Sequence, residues 1–151
     1  MYKHCEMNDE HMSLHDCHAT DVTYENGILT FCFEDGIWIS SDTLNKTVRT
    51  DKACVKFYLE TEEDYDISVY VFEKILKLTI RKEWHISKLL ECINSKKFTL
   101  EFLYQYNGYN SRVIDCWLWS DRKPFHRECQ IKLRVEKVEY YWNNLCEDRE
   151  W

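Results

Sequence analysis

From residue 18 onward, apolar and polar residues alternate in short runs, the period-two signature of half-buried β-strands. Asn26-Gly27 interrupts the first such run, and this dipeptide suits a type I′ hairpin turn, which needs positive φ at both central residues. Taken as a two-residue loop, it sets Tyr24 opposite Leu29, Val22 opposite Phe31 and Thr20 opposite Phe33. Asp21, Thr23, Glu25 and Thr30 are left on the other face, so both strands bury the same side. Asp35-Gly36 predicts a second tight turn into Ile37-Trp38-Ile39, with Trp38 opposite Phe33 and a three-stranded meander as the result.

Ser40 to Asp51 reads as a polar connection. Ala53, Val55, Phe57 and Leu59 then alternate with Cys54, Lys56 and Tyr58 to give a fourth strand. The run from Asp66 to Arg81 is too long for one ordinary strand and must bend, bulge or break near Glu73-Lys74. Ile86, Leu89, Leu90 and Ile93 recur at helical spacing, which predicts a helix over 83–94. A second Asn-Gly pair, Asn107-Gly108, predicts a hairpin with Phe102 opposite Val113 and Phe98 opposite Trp117. That register sets Asp115 against Leu100 on the apolar face, so Asp115 has a partner, lies at an edge, or marks a slip. In the last strand Cys129, Ile131, Leu133 and Val135 share a face. The phase then changes to Val138 and Tyr140, which predicts a bulge.

The expected fold is α+β, mainly β: an antiparallel sheet of about eight strands built from hairpins and meanders, with one helix near 83–94. One domain is expected over 1–151, with 1–13 as a loose or helical lead-in.

Composition narrows the function classes. Only 3 Gly and 1 Pro beside 44% hydrophobic residues argue against disorder. The 27 acidic against 20 basic side chains, a formal charge of -7, disfavour a nucleic-acid partner and suit a basic protein. No apolar run is long enough to span a bilayer and no leader pattern opens the chain, so a cytoplasmic protein without membrane attachment is expected. In that reducing setting the eight cysteines are expected as thiols, and none forms a Cys-x-x-Cys pair.

Candidate chemistry is densest at Leu14-His15-Asp16-Cys17-His18. Zinc takes four nitrogen or sulfur ligands, and in an extended segment His15 and Cys17 share a face with His18 behind them. His15, Cys17 and His18 are therefore the candidate metal ligands, zinc being the only cofactor they suggest. A nucleophilic cysteine would need a histidine base within reach, and strand neighbours point to opposite faces, which disfavours a local triad at Cys17. A glycine-rich phosphate loop, a Gly-x-Ser-x-Gly elbow and a His-Glu-x-x-His helix are all absent. Aromatic residues gather in the C-terminal half, and Tyr and Trp make effective binding anchors. Tyr106, Tyr109 and Trp142 are the expected partner-binding residues, with the two tyrosines flanking a hairpin tip.

The segment from Leu14-His15-Asp16-Cys17-His18-Ala19 through Ile28-Leu29-Thr30-Phe31-Cys32-Phe33, within residues 13–39, resembles small uncharacterised bacterial β-rich proteins. More loosely it resembles polymorphic-toxin immunity proteins, whose first strand begins with a His-Asp signature. The resemblance implies an acidic bacterial protein that binds and neutralises a toxin, a basic one here, without catalysis. A non-catalytic protein-binding domain is thus the expected function, and a metal-binding protein or enzyme centred on His15, Cys17 and His18 is the alternative. A homo-oligomer formed through an exposed strand edge is a further expectation.

Overall fold

A computed structural model describes residues 2–7, 9–41 and 45–150. In chain order the strands are β1 (His4–Glu6), β2 (Met12–Ser13), β3 (Cys17–Ala19), β4 (Asp21–Glu25), β5 (Ile28–Phe33), β6 (Trp38–Ser41) and β7 (Lys46–Thr50). They continue as β8 (Ala53–Leu59), β9 (Ile67–Ile75) and β10 (Leu78–Trp84), then helix α1 (Ile86–Asn94), then β11 (Thr99–Gly108), β12 (Ser111–Trp119), β13 (His126–Trp142) and β14 (Leu145–Glu150). The α+β, mainly β class holds. Among the described residues the strands number fourteen rather than about eight, in antiparallel sheets of ten and four. Where a loose or helical lead-in was expected, the described residues form β1, one 3-10 turn at Asp9–His11, and β2.

The first hairpin forms as its pattern dictates. Tyr24 pairs with Leu29 and Val22 with Phe31, and Asn26 and Gly27 both have positive φ. The meander then departs from expectation. β5 takes β8 as its second neighbour, while β6 leaves for the four-stranded sheet, ordered β14-β7-β6-β2. Gly36 turns the chain at φ +78°, and the Thr50 hydroxyl accepts the Ile37 N–H at 2.9 Å. Of the expected polar connection, residues 42–44 lie outside the described residues, and Lys46–Thr50 form β7.

β13 is the spine of the large sheet. Its first half runs between β12 and β9, and beyond the predicted bulge, between Val135 and Lys137, it pairs with β8 and finally β1. The long run after Asp66 breaks at Leu76-Lys77, later than expected, and folds back as the β9–β10 hairpin. β3 and β4, the two ends of the ordered path β3-β11-β12-β13-β8-β5-β4, are consecutive in the chain with only Thr20 between them. The core lies inside that curve, where Phe31 meets Phe57 and Phe102 edge-on at 5.9 and 5.2 Å.

α1 begins later than predicted because Glu83 and Trp84 extend β10, and His85 caps it by accepting the Ser87 N–H. Ile86, Leu89, Cys92 and Ile93 are its buried face. Asn94 satisfies the edge of β4, its Oδ1 accepting the Val22 N–H at 2.9 Å and its Nδ2 donating to the Val22 carbonyl at 2.7 Å.

The all-thiol expectation is corrected at one pair. Cys32 and Cys54 face each other across β5 and β8, 4.3 Å apart at Cα, and form a disulfide. Cys17, Cys92, Cys116 and Cys129 are buried as free thiols, acting as small apolar side chains.

Candidate binding site

His15 and Asp16 occupy a turn, not the extended segment assumed for a metal site. Asp16 has φ +55°, and the Cys17 N–H donates back to the Leu14 carbonyl at 3.0 Å. The three candidate ligands consequently diverge. Cys17 is fully buried and its thiol points toward the carbonyls of His15 and Ser13, at 3.5 and 3.9 Å. Burial pushes that thiol up to about 12, so it stays protonated and is a poor nucleophile or ligand at neutral pH. The His15 Nδ1 is hydrogen-bonded to the Leu103 carbonyl, whereas His18 lies beside Glu101 at 3.8 Å. Among the described residues, no three His, Cys, Asp or Glu side chains come together as a metal site.

His15 instead borders a cleft of about 310 Å³, a volume in the range of small-ligand sites. A bulge at Leu103, between Phe102 and Tyr104, gives the cleft its shape by letting Phe102 stay in the core while Tyr104 turns outward. Met12, Leu14, Phe102 and Ile114 supply apolar walls, and Asp9, Tyr140, Gln105 and Asn107 supply polar groups. Tyr140 donates to Asp9 at 2.7 Å, and Arg112 pairs with the other oxygen of the same carboxylate. Burial, then the Asp9 charge, raises the Tyr140 hydroxyl above its ordinary range, so it remains a donor.

Ser13, His15 and Asp16 are the residue types of a hydrolytic triad, and their geometry does not make one. The Ser13 hydroxyl accepts the His15 backbone N–H at 3.3 Å, and Asp16 lies 3.5 Å from the His15 Nε2. The remaining ring nitrogen is held by the Leu103 carbonyl, so no base faces the serine. What this arrangement can do is hold a polar group among the hydrogen-bonding side chains of Tyr140, Gln105 and Asn107, beside the Asp9–Arg112 ion pair.

Above the cleft stands the β11–β12 hairpin. Its turn residues are Tyr109 and Asn110, not Asn107-Gly108, since Gly108 pairs with Ser111 and Asn110 takes φ +46°. The predicted register is corrected with it: Phe102 pairs with Cys116, Leu100 with Leu118, and Asp115 with Tyr104. The Asp115 anomaly was a slip, and its carboxylate accepts from Gln130 at 2.9 Å. Tyr106 and Tyr109 are 56% and 94% exposed, and Tyr104, its ring 5.3 Å from His15, is 59% exposed. Trp142 is not with them. It sits at the last residue of β13, stacked on His4 at 5.3 Å and packed against the core.

Sequence reasoning missed a second polar cluster on the outer face of β8 and β13, because Glu139 alternates with core residues and reads as a solvated position. Glu139 is only 8% exposed, and its Oε2 accepts from both Tyr58 and Tyr141 at 2.5 Å. Lys137 donates to the other oxygen at 3.0 Å. Burial disfavours the charge, but the hydrogen bonds from Tyr141, Tyr58 and Lys137 outweigh it and hold the carboxyl at about 2. A depressed folded value contributes stability that is complete above the ordinary glutamate range near 4.3 and is lost as pH falls toward 2. Glu139→Gln is expected to flatten that part of the stability-pH profile. At neutral pH it should lower stability by about 1.5–3 kcal/mol, the scale of charged hydrogen bonds. Urea midpoints of both proteins from neutral to acid pH check this, and parallel profiles would refute it.

No family model matches the chain, and neither a curated protein nor a solved structure resembles it closely enough to count as a match.

Proposed function

We propose that the protein is a non-catalytic binding domain that engages a protein partner through the tyrosine hairpin β11–β12 and the cleft at its base. The observation that carries this reading is the exposure of three tyrosines, Tyr104, Tyr106 and Tyr109, beside a cleft with polar side chains. Tyrosine offers a large contact area and a hydrogen-bonding tip at low entropic cost, which favours it at protein interfaces. Cys17 held as a thiol and His15 held by a backbone carbonyl weigh against the metal or enzyme alternative. The charge of -7 favours a basic partner, and a toxin neutralised by docking is one protein of that kind.

The test is isolation of the protein from its own cells with any stoichiometric partner, followed by titration of that purified partner. Replacing Tyr106 and Tyr109 together by alanine should weaken the complex at least tenfold, about 1.4 kcal/mol, the order expected for interface anchors. The melting temperature should be unchanged because both rings are solvent-exposed. Unchanged affinity would sink the assignment, as would a partner whose contacts lie elsewhere on the surface.

A further inference from the structure

The β9–β10 hairpin is unlike the rest of this acidic molecule. Leu76 at its tip is 99% exposed, Leu78 is 70% and Ile75 is 49%, and Phe125 on the neighbouring loop is 52% exposed. Ile75 and Phe125 border a common cleft of about 340 Å³. Buried apolar side chains are the norm for such residues, and an aliphatic group left in water at a protruding tip is a candidate for insertion elsewhere.

Charge segregates to the same place. Residues 72–83 and 121–128 carry seven Lys or Arg and four Asp or Glu, a net of +3 in a chain whose net is -7. Two of those acids are already neutralised: Glu73 by Lys82 at 2.6 Å, and Glu128 by Lys74 at 3.5 Å. Among the described residues, Lys77, Arg122 and Lys123 are exposed and have no ion-pair partner.

We infer that this hairpin, with the 121–125 loop, is a docking surface for an anionic lipid membrane. Aliphatic and phenylalanine side chains surrounded by lysine and arginine are what an interfacial membrane contact uses, the apolar groups entering the headgroup layer and the cations meeting its negative charge. Leu76 lies four residues past Phe72, the last residue of β9 to pair with β13, which is roughly 13 Å at strand rise. That exceeds the Debye length of about 8 Å at physiological salt, so the tip reaches the surface while the acidic body is screened from it. A protein groove fits less well. Leucine is under-represented among interface anchors, and the free edge of β10 carries Arg81, Lys82 and Glu83, which oppose strand addition by another chain. The tyrosine hairpin lies at the other end of the β12–β13 pairing, so the two surfaces can be lost separately.

Flotation of the intact protein with phosphatidylcholine vesicles, with and without phosphatidylserine, is the test. The expected result is binding only to the serine-containing vesicles, weakened by added salt. Leu76→Asp with Leu78→Asp should reduce partitioning at least tenfold, and Lys77→Glu with Lys123→Glu should do the same. All four positions are exposed, and an unchanged melting temperature will show that the fold is intact. The proposal is overturned by the absence of binding to serine-containing vesicles, or by binding that survives both double variants. It is equally overturned if the hairpin variants abolish capture of an acidic protein while vesicles are never bound.

Discussion

Phe102→Ala is expected to lower the unfolding free energy by about 3–5 kcal/mol, the range for removing a fully buried phenylalanine. Phe102 is 1% exposed and meets Phe31 and Phe33 edge-on at 5.2 and 5.3 Å, so truncation removes the group at which both rings converge. Three elements meet at this residue. Phe102 pairs with Cys17 of β3 and Cys116 of β12, and its carbonyl accepts the Asp16 N–H at 2.8 Å. The sheet around it cannot close fully on the space because the backbone on both sides is already in register. Domain stabilities are typically 5–15 kcal/mol, so the loss would be a large share of the whole. Phe102→Leu, which keeps most of the volume, should cost less than about 1.5 kcal/mol. Equilibrium urea unfolding at constant m-value checks both, and a loss below 1 kcal/mol for alanine would mean that the core relaxes around the site. Since the same ring walls the cleft, partner affinity should fall along with stability in the alanine variant but less in the leucine variant.

The parts legible from sequence were those whose determinants are local. The 20–33 hairpin declares itself because turn chemistry at Asn26-Gly27 and strand alternation agree on one register. The β13 bulge is equally readable, since the apolar phase changes where the strand exchanges neighbours. An identical Asn-Gly signal misled at residues 107–108, because Asn110 can also adopt positive φ and the bulge at Leu103 restores burial of Phe102 after the shift. The exposure of Tyr106 and Tyr109 survived that error, because the shift moves Tyr109 into the turn itself and leaves Tyr106 on the strand just before it, so both stay at the hairpin tip. Trp142 could not be separated from them in sequence, for only the path of β13 shows how far away it lies. The divergence of His15, Cys17 and His18 depends on one backbone angle at Asp16, for which an aspartate is permissive but not predictive. Leu76 is the extreme case: a leucine in an apolar run reads as core, and only the hairpin fold shows that it stands in solvent.

Gly36→Ala is expected to be among the most damaging changes at a residue with no side chain, and the reason lies outside its own turn. A Cβ at Gly36 would stand 2.1 Å from the Thr50 carbonyl oxygen and 2.4 Å from that of Asp51, both backbone atoms that cannot swing away. Its φ of +78° adds the strain that any L side chain meets in the left-handed region. Relief requires β6 and β7 to separate from the crossing. That would break the bond from the Thr50 N–H to the Ile37 carbonyl at 2.8 Å and the one from the Ile37 N–H to the Thr50 hydroxyl. Overpacking of a tight site costs about 1–3 kcal/mol and backbone strain about 1 more, so a loss of roughly 3 kcal/mol or above is expected. Gly27 provides the internal control. It has a similar φ of +71°, but its added Cβ would come only to 3.1 Å from the Glu62 Cα and the Thr61 carbonyl oxygen, tight without overlap, so Gly27→Ala should cost roughly 1–2 kcal/mol, less than Gly36→Ala. Thermal or urea unfolding of the two variants side by side decides the matter. Equal losses would mean that φ alone governs both positions, and that the junction between the two sheets is looser than the close approach at Gly36 requires.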